Sequence, residues 1–172
     1  PSTPSVRFTA LTVPTMTKKQ TFLPLKWLLQ TSMLSFCLAT TASAQSVWTG
    51  GAGNTSWADS ANWASGTPSA GQDARIGSSL YNPTSFPLVT SGQSFTVNDL
   101  WVGYDGIGSL SLERGGTLTA SRLGYIGYLS GGVGLVTVDG STTLLAIEDD
   151  LTLGYAGVGE LTITGGALVD SN

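Results

Sequence analysis

One phrase recurs three times in the last seventy residues, and it constrains the fold more than anything else in the chain. It reads VGYDGIGSLSLERGGTL from Val102, IGYLSGGVGLVTVDGSTTL from Ile126 and LGYAGVGELTITGGAL from Leu153. The Gly-Tyr pairs begin at Gly103, Gly127 and Gly154, 24 and 27 residues apart. Within each phrase apolar residues two apart mark a strand: Leu110 and Leu112, Val136 and Val138, Leu161 and Ile163. Successive side chains of a strand point to opposite faces, so Ser111, Thr137 and Thr162 face away from these. A second strand precedes each Gly-Tyr, at Leu100–Val102, Tyr125–Ile126 and Leu151–Leu153. A third apolar position follows the turn, read as Leu118, Leu144 and Leu168.

A repeat of about 25 residues made of short strands and Gly-rich turns points to a solenoid. Each phrase becomes one coil, and equivalent strands pair in parallel at about 4.8 Å per coil. No coil buries its apolar residues alone, so neighbours complete one another. An antiparallel sandwich also has short, evenly spaced strands, but it does not call for near-copies with equivalent Gly and apolar positions. The middle phrase carries two extra residues within Leu129-Ser130-Gly131-Gly132, which a solenoid accommodates at a corner.

Composition divides the chain at about residue 44. No Gly precedes that point, and all 23 follow it. All 11 acidic residues also follow it, opposed only by Arg75, Arg114 and Arg122, which leaves a net charge of −8 there. An acidic surface without Lys disfavours nucleic acid, whose phosphates need cationic partners. Upstream, Met16-Thr17-Lys18-Lys19 with Lys26 makes a basic region, Trp27 to Ala39 an apolar one, and Ala42-Ser43-Ala44 a small-residue cleavage pattern. This reads as a helical secretory signal over 16–44, cut between Ala44 and Gln45. A membrane anchor is the competing reading, but the apolar run is shorter than the roughly 20 residues that span a bilayer. A lipid-modified Cys37 is opposed by Phe36, too large for the position before it. Residues 1–15 have no periodicity and read as a disordered extension upstream of Met16. The chain stops at Asn172 just as the third phrase ends, so the expectation is a fragment of a longer gene product. Cys37 is the single Cys, so no disulfide staples the fold.

Between the signal and the phrases, residues 45–98 form a Trp/Gly-rich cap with the first strands, and 99–172 hold the three repeats. Trp48, Trp57 and Trp63 lie among turn residues and are expected to pack as an aromatic cluster capping the solenoid. Strands are expected around Trp48, at Ala74–Ile76 and, from polar–apolar alternation, at Ser94–Val97.

The sequence contains no His, and after residue 44 no Lys or Cys. That removes Ser-His-Asp triads, Cys nucleophiles, Schiff-base Lys and His-ligated metals. Catalytic, cofactor-binding and metal residues are accordingly read as none. Glu148-Asp149-Asp150 is the densest carboxylate cluster; it could serve glycoside hydrolysis or Ca²⁺, but reads first as a solvated corner. Asp105-Gly106 and Asp139-Gly140 resemble calcium-repeat corners, yet the third phrase has Ala156 in the equivalent place, so they read as turn residues. Gly131-Gly132-Val133-Gly134 lacks the Lys and following helix of a phosphate loop, and Asn54-Thr55-Ser56 reads as a turn. Tyr104, Tyr128 and Tyr155 would form a ladder in stacked coils, either as packing or as a platform for sugar faces.

The signal, the VWTGG…W…NW…G-x-P segment and the GYxGxGxLTIxGGAL phrases resemble passenger regions of bacterial autotransporters and related β-strand-repeat proteins, over residues 45–172. The resemblance implies a right-handed parallel β-helix, exported in a Gram-negative bacterium and displayed at the outer membrane or secreted. It implies a non-enzymatic adhesin-like role toward host cells, neighbouring cells or polysaccharide, without cofactor. Membrane contact would come only through a C-terminal translocator, which such proteins usually carry. The alternative is a secreted polysaccharide-active enzyme, or a carbohydrate-binding module using the Trp segment.

Overall fold

The computed structural model describes residues 44–172. The expected extension 1–15 and signal 16–44, with Cys37, lie outside the described residues except for Ala44. The described chain is all β apart from a single 3-10 turn, η1 (Ser60–Asn62). It opens with β1 (Ala44–Val47) and then winds through four three-strand coils. These are β2 (Gln72–Ile76), β3 (Leu88–Val89) and β4 (Ser94–Val97); β5 (Leu100–Val102), β6 (Ile107–Glu113) and β7 (Thr117–Ala120); β8 (Gly124–Ile126), β9 (Val133–Asp139) and β10 (Leu144–Ile147); and β11 (Leu151–Leu153), β12 (Val158–Thr164) and β13 (Leu168–Ser171).

Equivalent strands pair in parallel and build three sheets, β1-β2-β5-β8-β11, β3-β6-β9-β12 and β4-β7-β10-β13. The chain is thus a parallel β-solenoid of about five turns, with equivalent residues about 26 positions apart, as between Ala74 and Leu100. The inward column read from the phrases is present: Leu110 pairs with Val136 and Val136 with Leu161, while Leu112 pairs with Val138 and Val138 with Ile163. Leu110, Leu112, Val136 and Val138 are buried. Burying a side chain of this size is worth about 1.5–3 kcal/mol. The column continues below the phrases through Val89, because β3 pairs with Ser111 and Leu112. There the long strand shrinks to two residues, since Pro83 and Pro87 precede it and proline has no N–H for the ladder.

The third column differs from the sequence reading. Leu118 stacks on Leu145 and Leu145 on Val169, whereas Leu144 and Leu168 lie in the outward row above Thr117. Leu145 is fully buried and Leu168 is 58% exposed. Two local causes produce the shift. The corner Gly140-Ser141-Thr142-Thr143 is one residue longer than its neighbours, which moves the inward position from Leu144 to Leu145. In the first phrase Arg114 (φ 54) takes the left-handed conformation that Gly165 (φ 60) takes in the third. The structural equivalents are therefore Arg114-Gly115 and Gly165-Gly166, and matching the Gly-Gly pairs slides the alignment by one. In a strand, one residue of slip exchanges the inward and outward faces.

The two extra residues of the middle phrase lie in the corner between β8 and β9, where the Gly132 amide donates to the Leu129 carbonyl at 2.8 Å. The neighbouring corner is tight. Gly127 has φ 78, and a Cβ there would collide with the backbone of Val158 in the next coil. That combination of left-handed backbone and close coil–coil approach admits only glycine.

The N-terminal end of the stack is covered by the Trp segment. Trp48, Trp57 and Trp63 are all buried, with edge-on ring contacts at 5.1 Å and 4.8 Å, and Trp57 stacks on Phe95 of β4 at 5.8 Å. Ser56 forms a parallel bridge with Leu88, so this segment also pairs with the edge of the second sheet. Buried Asn62 ties it together. Its amide donates to Asn54 Oδ1 at 2.8 Å and to the Ser56 carbonyl at 3.1 Å, and its Oδ1 accepts from the Ala52 amide at 2.9 Å. At the opposite end the apolar residues of the last coil are covered on one side only, leaving Leu153 46% and Ile163 48% exposed.

The register separates two adjacent leucines. Leu145→Ala is expected to lower stability by about 2–5 kcal/mol, as for a buried leucine, and Leu144→Ala by less than about 1 kcal/mol; denaturant unfolding of both variants checks this. Val138→Asp places an unpaired carboxylate between Leu112 and Ile163 and is expected to cost about 4 kcal/mol or more, read as a large fall in melting temperature or loss of the folded state.

Candidate functional site

The outer face of the first sheet carries most of the aromatic surface beyond the cap. Arg75, Trp101, Tyr125 and Thr152 occupy equivalent outward positions on β2, β5, β8 and β11. Beside them run Tyr104, Tyr128 and Tyr155, each following the glycine that ends a first-sheet strand. Trp101 stacks on Tyr125 at 4.6 Å and 18°; Tyr104 on Tyr128 at 5.5 Å and 28°; Tyr128 on Tyr155 at 5.3 Å and 18°. The two rows lock edge-on, with Trp101 to Tyr128 at 4.5 Å and Tyr125 to Tyr128 at 4.8 Å. The Arg75 guanidinium closes the ladder, lying 3.6 Å from the centroid of Tyr104.

The sequence pattern pointed to the three tyrosines but missed Trp101, Tyr125 and Arg75. Alternation could have found them, since Leu100-Trp101-Val102 puts an aromatic between two inward residues. The geometry decides the ladder's chemistry. Ring faces within the rows are taken up by one another, so the ladder holds coils together and presents mainly edges. Tyr155, 65% exposed, is the least covered ring of the ladder. Burial pushes the Tyr125 hydroxyl above its ordinary value, and Tyr128, Asp99, Tyr155 and Asp150 push the same way. It stays protonated across the physiological range.

The carboxylates serve the corners. Asp73 Oδ1 accepts from the Asn98 side chain at 2.8 Å and the Asp99 amide at 3.3 Å, and Asp99 Oδ1 accepts from the Leu123 amide at 3.1 Å. In each case a carboxylate of one coil holds the corner of the next. Asp139 Oδ1 accepts from the Thr164 hydroxyl at 2.7 Å. Asn54, read from sequence as a turn residue, accepts from the Ser56 amide at 2.9 Å and donates to Asp59 at 2.9 Å. Glu148, Asp149 and Asp150 lie exposed in the corner between β10 and β11, where the Glu148 and Asp149 amides donate to Ala120 and Arg122 carbonyls. Among the described residues no group of three or more carboxylate, His or Cys side chains is placed to hold a metal ion. Gly131 to Gly134 form the β8–β9 corner and enter β9.

Asp105 has a different task. Its Oδ1 accepts from the Ser79 amide and its Oδ2 from the Ser79 hydroxyl, both at 2.7 Å. The contact fastens the long loop between β2 and β3 to the following coil. The far end of that loop is fastened at Ser85, whose carbonyl accepts from Trp48 Nε1 at 2.7 Å and whose hydroxyl donates to the Asn54 carbonyl at 3.0 Å. Between the two attachments the loop and the corner at Gly106-Ile107 enclose a cleft of about 410 Å³, lined among others by Ser78, Tyr81, Asn82, Pro83 and Phe86. Sequence reading gave no sign of it, because its walls come from different coils.

No known protein family, curated protein or solved structure matches the chain.

Partial burial alone would raise the Asp105 carboxyl. The hydrogen bonds from Ser79 and Ser78, with the nearby Arg75 charge, outweigh that and hold it below its ordinary value of 3.8. A depressed carboxyl stabilises the attachment above the ordinary value and loses that effect as pH falls through the lower folded value. Amide protection of Ser79 and Leu80 is expected to hold down to about pH 4 and to drop below it. Asp105→Asn is expected to remove the pH dependence and loosen the loop at neutral pH, read by hydrogen exchange.

Proposed function

We propose that this protein is an exported, non-enzymatic surface protein, a β-solenoid passenger segment of the autotransporter kind, serving adhesion or cell-surface interaction. The observation that carries this is the solenoid itself. Its apolar columns, its ladder and the carboxylates of Asp73, Asp99, Asp105 and Asp139 hold one coil to the next, which makes a stiff rod with loops as its free surfaces. The sequence adds the signal pattern ending at Ala44, an acidic chain beyond it, and no His anywhere. A rod held by backbone pairing and aromatic stacking needs neither a disulfide nor a metal, which suits a chain whose one Cys precedes the solenoid. Its partners on this reading are host or neighbouring-cell surfaces or polysaccharide, reached outside a Gram-negative cell.

Ala44 and Gln45, which flank the expected cleavage point, are both exposed in the edge strand β1. Expression of the full chain in a Gram-negative host is expected to yield exported protein whose N-terminus is Gln45. Purified exported protein immobilised on beads is expected to bind cells or extracellular polysaccharide. Cytoplasmic retention with residues 16–44 intact would overturn the reading, as would hydrolysis or lyase cleavage of polysaccharide by the purified chain.

A further inference from the structure

The cleft between the β2–β3 loop and the Gly106-Ile107 corner exists because the first coil breaks the repeat. Gly77 (φ 78) follows β2 as Gly103 (φ 70) follows β5 and Gly127 (φ 78) follows β8. The next residue is Tyr104, Tyr128 or Tyr155 in the later coils, but Ser78 here. A hydroxymethyl group thus stands where a ladder ring otherwise lies, and Ser78 lines the cleft. The loop that follows is longer than any other corner among the four coils, running from Gly77 to Pro87 between β2 and β3. It is pinned at Ser79 and at Ser85, so its intervening residues are held out from the rod. They include Leu80, 82% exposed, and Tyr81, 39% exposed, and Ile107 across the cleft is 63% exposed. Large apolar groups are here presented to solvent on a fastened scaffold, beside hydroxyl and amide groups.

We propose that this cleft binds one unit of a neutral polysaccharide chain, an inference that rests on the surface reading above and deepens it. At 410 Å³ it falls at the small end of the range of ligand pockets, about 300–1,000 Å³. Its lining combines aromatic rings (Tyr81 and Phe86), apolar groups (Pro83 and Ile107) and uncharged hydrogen-bonding groups (the Asn82 amide and the Tyr81 hydroxyl). A neutral sugar ring has the matching character, with an apolar face of C–H groups and a rim of hydroxyls. Anionic units are disfavoured by the −8 charge that follows residue 44 and by Asp105 beneath the loop. An extended peptide is the competing ligand: β2 is paired on both sides, but β3 pairs with β6 only at Ser111 and Leu112, so Ile107–Leu110 leaves a short strand edge beside the cleft, too short for more than a few backbone hydrogen bonds. Asp105 is a positioning residue in this site: its carboxylate is taken up by Ser79 and sets the loop.

The test is a titration of the isotopically labelled full chain with neutral glucose, galactose, mannose and N-acetylglucosamine tetrasaccharides, and with an apolar tetrapeptide, followed by amide chemical shifts. At least one sugar is expected to shift amides in 78–86 and 105–108 at millimolar concentration. Tyr81→Ala is expected to weaken that binding about tenfold or more, as loss of an aromatic anchor does, and Asn82→Ala to weaken it less, both with unchanged melting. The proposal is overturned if no sugar shifts these amides, if shifts fall elsewhere, if Tyr81→Ala binds like the parent, or if the tetrapeptide binds there more tightly than every sugar. Failure here by a protein that is exported and binds cells removes the cleft assignment and leaves the surface reading. Sugar binding by a protein retained in the cytoplasm does the reverse.

Discussion

In-register parallel pairing between successive coils is the constraint on which the rest of this protein depends. Backbone groups of a coil strand find their partners in the coils before and after it, so a residue's neighbours are its own equivalents. Apolar residues then lie over apolar residues, glycine over glycine, and tyrosine over tyrosine. This is why Leu110, Val136 and Leu161 form a column, and why Gly77, Gly103, Gly127 and Gly154 close the same corner in four coils. A change at one position is felt by the coils on either side, because no coil has a private core.

The outside of the rod is built by the same rule as the inside. Trp101 and Tyr125 stack because their strands pair, and Tyr104, Tyr128 and Tyr155 stack because their corners do. The ladder therefore adds aromatic contact on the outer face of a wall whose inner face is packed by Ile76, Val102 and Ile126. Corner carboxylates extend the same logic: Asp73 and Asp99 each accept an amide from the coil that follows. Of the carboxylates that look like candidate chemistry in the linear sequence, Asp105 and Asp139 are in this way engaged in coil-to-coil attachment, whereas Glu148, Asp149 and Asp150 lie exposed.

Departures from repetition are where the rod acquires individuality. At the N-terminal end three tryptophans and buried Asn62 replace a further coil and cover the column. In the first full coil Ser78 replaces the ladder tyrosine, and an eleven-residue connection replaces a tight corner. Both departures lie before the threefold phrase, and the second makes the cleft.

Periodicity and alternation were enough to read the solenoid, the two columns through Leu110 and Leu112, the strand at Ser94–Val97 and the corner position of the middle insertion. These are legible because local side-chain alternation and a repeat near 25 residues each admit few solutions, and together they admit a coil. The third column was not legible. Its register turned on Arg114 taking a backbone conformation usual for glycine, and on one extra residue in the corner after Asp139, neither of which changes the apolar pattern. The ladder was half legible: recurrence exposed Tyr104, Tyr128 and Tyr155, whereas Trp101 and Tyr125 share a column without sharing a residue type. The cleft was not legible at all, because Tyr81, Phe86 and Ile107 meet only when a loop from one coil is fastened to the corner of the next. Sequence alone determined what repeats, since repetition is written in spacing. Tertiary structure decided which faces meet, since that depends on corner lengths and backbone angles that spacing does not encode.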